Sequence, residues 1–165
     1  MTPGRQGSNS TISTTSGPAL RGRARDVFAR HFTAGDMATR GVLQDLVSGL
    51  SNAGICGDDL ATVELILAEV LNNVTEHAYA DGPGPVELSV QMQRRALACQ
   101  IVDRGRPMPS GDAPDPPLPP IEPMVNMPEG GFGWHIIRCL TTDLTYQRVG
   151  KRNTLSMRVP LTGSG

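Results

Sequence analysis

Four polar residues, Glu69, Asn72, Asn73 and Glu76, stand along a stretch with a recurring apolar face. Glu69 and Asn73 are four apart, so on a helix they share one stripe, beside the apolar face rather than opposite it. A carboxylate next to an amide oxygen can hold a hard cation and orient a hydroxyl or a water. Taken by spacing alone, a solvated helix flank accounts for the pattern better. Asp103 closes an alternating apolar run and is followed by Gly105 and Pro107. Such a residue can present its carboxylate to a ligand amino group; by itself, plain turn chemistry explains it equally. Gly130, Gly131 and Gly133 stand directly before a helical stretch. Glycines let backbone approach a ligand, and the free amides of a helix N-terminus suit a phosphate. A flexible hinge has the same composition. His31, His77 and His135 show no ligand spacing and read as structural.

These side chains need elements to hold them. The pattern predicts a strand over residues 27–32 and a helix starting near Asp36, its candidate N-cap, and closed by Gly54. That helix carries Leu43, Leu46, Val47 and Leu50 at helical spacing. A second helix starts at Asp58 and Asp59 and runs to about Tyr79, with Leu60, Val63, Leu67, Val70, Leu71, Val74 and Ala78 along one face. A turn at residues 81–84 leads to two alternating runs, 86–92 and 97–103, which form an antiparallel pair turning at Arg94 and Arg95. Nine of the 14 prolines fall between Pro107 and Pro128, a density that predicts a long loop. A short helix over 134–140 and two strands, 144–148 and 154–159, with a turn at Gly150, complete the chain. Helices and antiparallel strands segregate, which predicts an α+β sandwich with helices on one sheet face.

Composition narrows the chemistry. In 165 residues, 15 basic side chains face 16 acidic ones, so no overall field attracts nucleic acid, and 4% aromatics provide few stacking platforms. Residues 1–25 are rich in Gly, Ser, Thr and Arg and are expected to form a disordered tail, with residues 26–165 as the folded domain. No apolar run is long enough to span a membrane, and the first 20 residues have no signal-peptide core. Cys56, Cys99 and Cys139 make neither a metal knuckle nor a redox pair and are expected as reduced, buried thiols in a cytoplasm. Lys151 is the only lysine, and its surroundings exclude a Walker A loop as well as the strand lysine of a eukaryote-like protein kinase.

Three weak signals in a fixed order are stronger than any one of them. A-E-V-L-N-N-V-T-E-H-A-Y (68–79), D-R-G-R-P (103–107) and P-E-G-G-F-G-W-H-I-I-R (128–138) together resemble the GHKL ATPase superfamily. Within it the chain is similar to the bacterial anti-sigma-factor serine/threonine kinases of partner-switching modules, and G-K-R-N-T-L-S-M (150–157) is similar to that family's last strand. The resemblance implies the Bergerat sandwich, a mixed, mostly antiparallel sheet covered by helices, and the use of ATP with Mg²⁺. It implies that Asn73 binds Mg²⁺ and that Glu69 is the general base. Asp103 would accept from the adenine amino group, with Gly105 beside the base. Gly130, Gly131 and Gly133 would flank the triphosphate, and residues 106–129 would be a lid, mobile until nucleotide binds. Pro107, Phe132, Trp134, His77 and Asn153 would join the same pocket.

Three positions depart from the usual pattern. Trp134 stands where a smaller aliphatic residue is common, Asn72 where a small residue is common, and Pro107 where many members outside the anti-sigma branch have glycine. The implied function is phosphorylation of a STAS-type anti-anti-sigma protein together with sequestration of a sigma factor or an equivalent regulator. No direct contact with nucleic acid or membrane is implied, and a homodimer is compatible. The alternative is a non-catalytic, ATP-gated binding module, against which Glu69 speaks. A histidine-kinase fragment would want a phosphoacceptor histidine upstream, and the stretch before Val27 has none.

Overall fold

Period-two alternation in three of the five strands sends one row of apolar side chains to the same sheet face. In the computed structural model, which describes residues 25–116 and 132–163, the strands are β1 (Arg25–Thr33), β2 (Pro85–Gln93), β3 (Ala96–Asp103), β4 (Thr142–Val149) and β5 (Arg152–Pro160). They form one sheet in the order β1-β2-β3-β5-β4, antiparallel at every pairing. β3 and β4, joined by the proline-rich loop and a helix, run in the same direction, but β5 lies between them. Among the described residues the sheet is therefore antiparallel throughout, and the parallel pairing that a mixed sheet would contain is not found. β1 opens at Arg25, the last residue of the expected tail. The rest of that tail, and residues 117–131 of the loop, lie outside the described residues.

Helices α1 (Asp36–Asn52), α2 (Gly57–Asn73) and α3 (Gly133–Leu140) supply the second layer. α1 buries Val42, Leu43, Leu46 and Leu50, and α2 buries Val63, Ile66, Leu67, Val70 and Leu71, an apolar stripe at helical spacing. The sheet answers with Val86, Leu88 and Val90 from β2, Leu97, Cys99 and Ile101 from β3, and Leu155, Met157 and Val159 from β5. Asp36 is the first helical residue and not the N-cap; Gly35 holds that position, without a side-chain cap. A carboxylate in the first turn still complements the helix dipole.

Of the three cysteines, Cys99 alone is buried; Cys56 and Cys139 are exposed, contrary to expectation. Both stand where the chain leaves the core: Cys56 precedes α2 and Cys139 lies on the outer side of α3. Burial pushes the Cys99 thiol up to about 12, which leaves it a small apolar core residue.

α2 does not end as a regular helix. Val74–Ala78 forms a π turn in which Tyr79 N–H donates to the Val74 carbonyl, five residues back. The apolar spacing that predicted one helix to Tyr79 contains no mark of this wider turn.

At the other end of α2, Asp59 anchors the end of the sheet. Its carboxylate accepts hydrogen bonds from Thr162 N–H (3.0 Å), Thr162 Oγ1 (2.8 Å), Gly163 N–H (3.0 Å) and the Cys56 thiol (3.3 Å). The Thr162 amide, more than any other partner, holds this carboxyl at about 2. A depressed carboxylate stabilises the fold above its unfolded value, and this contribution is lost as pH falls from about 4 to about 2. Asp59→Asn should therefore lower stability by about 1–2 kcal/mol at neutral pH and flatten that acid limb, as measured by thermal melts at pH 7 and pH 3. A variant with the wild-type acid profile would show that Asp59 is not the anchor.

Candidate functional site

The inward row of β3 reads Leu97, Cys99, Ile101 and then Asp103; that of β5 reads Asn153, Leu155, Met157 and Val159. Register pairs Leu97 with Val159, Cys99 with Met157, Ile101 with Leu155, and Asp103 with Asn153. An apolar ladder thus ends in one buried polar rung, Asp103 being 7% and Asn153 2% exposed. Both groups are hydrogen-bonded, as burial demands. Asp103 Oδ1 accepts from Asn153 Nδ2 (2.6 Å) and from Gly105 N–H (2.9 Å).

Above this rung lies a cavity of about 440 Å³. Its floor is Ile101, Asp103, Asn153 and Leu155, and one wall is Val70, Asn73 and Val74 with Glu76, His77 and Ala78 of the π turn. The facing wall is the stem of the loop, Arg106, Pro107, Met108, Pro109 and Pro114, together with Trp134 and Tyr146. The lining is mainly apolar with a few converging polar groups, the usual composition of a small-molecule site.

The stem is moored at several points. Arg106 N–H donates to the Ala78 carbonyl (2.8 Å), and its guanidinium makes a two-pronged contact with Asp81 (2.8 and 2.5 Å). Gly105 packs on the same carbonyl so closely that a Cβ there would overlap it. Tyr79 braces the turn from behind. Its hydroxyl donates to the Pro85 carbonyl (2.6 Å) and accepts from Arg104 N–H (2.9 Å), and burial raises its phenol above the usual value, so the donor proton is kept. Farther along, Arg138 on α3 donates to the carbonyls of Ala113 and Pro114, both at 2.6 Å.

At the other end of the cavity, Glu69 and Asn73 face the first turn of α3. A Cβ at Gly133 would stand 2.5 Å from Glu69 Oε2 and 3.8 Å from Asn73 Nδ2, so any larger residue there would displace the Glu69 carboxylate. No side chain caps the α3 N-terminus, which opens at Phe132. Asn73 Nδ2 is buried without a hydrogen-bond partner. That is an unmet donor in a cavity wall, costly unless a ligand oxygen satisfies it. Among the described residues no group of three or more His, Cys, Asp or Glu could hold a metal unaided. A hard cation here would need ligand oxygens and water beside Asn73, which is how Mg²⁺ is usually held with a nucleotide.

Of the residues singled out in the sequence, Asn73, Glu76, His77, Asp103, Pro107, Trp134 and Asn153 line the cavity. Glu69, Gly105 and Gly133 border it without lining it, and Phe132, 37% exposed, lies outside the lining. Gly130 and Gly131 fall outside the described residues. The sequence reading missed Tyr146, Met108, Arg138 and Arg148. Tyr146 alone left a trace, an aromatic one period from Leu144 and opposite Leu155.

Residues 32–159 match the family described as the histidine kinase-like ATPase domain. The serine-protein kinase RsbW of Halalkalibacterium halodurans is 33% identical over 104 residues, covering 61% of this chain and 63% of that protein. The serine/threonine-protein kinase BtrW of Bordetella bronchiseptica is 31% identical over 97 residues, covering 58% of this chain and 67% of the other. The chain thus spans about two thirds of the length of these relatives. A crystal structure of the RsbU and RsbW domains of Rv1364c from Mycobacterium tuberculosis shares the fold, with a TM-score of 0.57 at 17% identity over 84% of this chain and 34% of that one. Among the described residues no helix is long and apolar enough to cross a membrane.

Proposed function

The chain belongs to the histidine kinase-like ATPase domain family, and from that premise we propose that it is an ATP-dependent protein serine/threonine kinase acting as a cytoplasmic anti-sigma switch. Its substrate is a serine or threonine of a STAS-type anti-anti-sigma protein, and its second partner is a sigma factor or an equivalent regulator. Two relatives named as serine or serine/threonine kinases support the reaction class. The observation that carries the reading is the polarity of the cavity. One end offers the buried Asp103 carboxylate, and the other offers the unpaired Asn73 amide beside Glu69 and the uncapped start of α3.

Each end has a task in this reading. Asp103 accepts from the 6-amino group of adenine, with Ile101, Val74 and Leu155 against the ring. The N-terminal amides of α3 face the phosphates, where free N–H groups and the helix dipole favour negative charge. Asn73 would hold Mg²⁺, which when bound would neutralise phosphate charge. Glu69 takes the proton of the attacking hydroxyl. The bond from the γ-phosphorus to the bridging oxygen breaks, a bond to the serine or threonine oxygen forms, and ADP leaves. Positioning and electrostatics account for most of such a transfer.

Incubating the protein with γ-labelled ATP, Mg²⁺ and STAS-domain proteins of its own genome should label one of them. Unlabelled ATP should compete at least tenfold better than GTP, whose carbonyl oxygen would face the Asp103 carboxylate acceptor to acceptor, at a cost of about 1–3 kcal/mol. Equal competition by the two nucleotides would remove Asp103 from base recognition. No label on any STAS partner would favour an ATP-gated binder.

A further inference from the structure

Asn153 is held at both ends of its amide. Oδ1 accepts from the Tyr146 hydroxyl (2.7 Å) and from Arg148 Nη1 (2.5 Å). With two donors on that oxygen the amide cannot turn over, so Nδ2 must point toward Asp103, to which it donates at 2.6 Å. Nδ2 also reaches the Arg106 carbonyl at 3.1 Å. Asp103 Oδ1 is therefore occupied by Asn153 and by Gly105 N–H. Both of these contacts fall on one oxygen, which leaves Oδ2 as the acceptor for a ligand.

The Tyr146 hydroxyl has a second role, because it accepts from Met108 N–H (3.1 Å) in the loop stem. One chain of hydrogen bonds thus runs from the Met108 amide through Tyr146 and Asn153 to Asp103. Tyr146 is the buried residue of β4, and its ring lines the cavity beside Leu155.

We propose that Tyr146 is the specificity-determining positioning residue of the site: by fixing the Asn153 amide it holds Asp103 with Oδ2 open to an exocyclic amino group, and through Met108 it ties that orientation to the stem of the loop. The inference rests on the nucleotide reading above, with the amino group belonging to adenine. Without the hydroxyl, Asn153 Oδ1 keeps only the Arg148 donor, from an exposed side chain; Nδ2 still faces the Asp103 carboxylate and the Gly105 and Arg106 carbonyls, but the amide is no longer fixed in place from the inner side. The loss is one of position: as Asn153 shifts, its hold on Asp103 Oδ1 loosens and Oδ2 is no longer aimed at the base.

The test compares ATP with purine riboside 5′-triphosphate, which has the same ribose and triphosphate but no 6-amino group. Isothermal titration in Mg²⁺ should give a wild-type preference for ATP of about tenfold or more. In Tyr146→Phe the preference should fall to about threefold or less, while affinity for the purine analogue stays unchanged. A general packing defect would instead weaken both ligands alike. Arg148→Met, which removes the other donor from the exposed side, should reduce the preference by a smaller factor and provides a second reading if the phenylalanine variant folds poorly.

Hydrogen exchange supplies an independent arm. ATP should slow exchange of the Met108 amide in the wild type and have less effect in Tyr146→Phe. Full retention of the ATP preference in a folded Tyr146→Phe overturns the relay alone. A wild type that does not distinguish the two nucleotides overturns the adenine reading, and the relay with it.

Discussion

Glu69→Gln should lower phosphoryl transfer by ~10²–10⁴-fold, the usual loss when a positioned base is removed, while ATP affinity changes by no more than about twofold. The two effects separate because of where Glu69 lies. Its carboxylate abuts Gly133 at the first turn of α3 and does not line the cavity. Glutamine is nearly isosteric, so α3 keeps its seat and Asn73 keeps its place one helical turn away. Single-turnover transfer to the STAS partner, measured beside equilibrium ATP binding, checks both halves. Full transfer by the variant would reduce Glu69 to a helix-flank residue.

Asn73→Ala should have the other large effect, seen in one of two measurements and absent from the other. If Asn73 holds Mg²⁺ as proposed, nucleotide affinity in Mg²⁺ should drop by roughly 10²-fold or more, and the difference between titrations with and without Mg²⁺ should vanish. The melting temperature without nucleotide should not fall. Asn73 Nδ2 is buried and unpaired, and deleting an unsatisfied polar group relieves a cost of about 1–3 kcal/mol that offsets the lost packing. Loss of binding without loss of stability marks a residue held for its ligand. A clear drop in melting temperature would instead make Asn73 a structural residue of the α2–α3 contact.

The sequence displayed the sheet more openly than the site. Alternation through Leu97, Cys99 and Ile101 extends to Asp103 and suggests its inward direction, and the apolar spacing along α2 and into the π turn placed Val63, Val70 and Val74 correctly in the core. The partners of Asp103 and the loop stem were hidden, because their contacts join residues far apart in the chain. Asn153 meets Asp103 across 50 positions, Tyr146 meets Met108 across 38, and Arg138 reaches Ala113 across 25. No local period encodes such meetings; they follow from strand register and from where α3 lands on α2. Asp59 misled for a different reason. An aspartate in the first turn of a helix is a common start signal, and nothing near it announces that it anchors Thr162 and Gly163.

The π turn makes chain length itself part of the binding site. An α-helix advances about 100° per residue, so the extra residue accommodated between Val74 and Ala78 sets the angle at which everything after Asn73 emerges. Deleting Thr75 would leave composition, charge and apolar spacing almost untouched and would let the helix close as regular α. The Ala78 carbonyl would then turn away from the Arg106 amide it accepts, and Tyr79 from the backbone it braces. Substitutions along this turn adjust the cavity wall gradually, whereas a single-residue insertion or deletion redirects it as a whole. In this fold the spacing between the N-terminal half of the site and its loop is counted in residues as strictly as a reading frame.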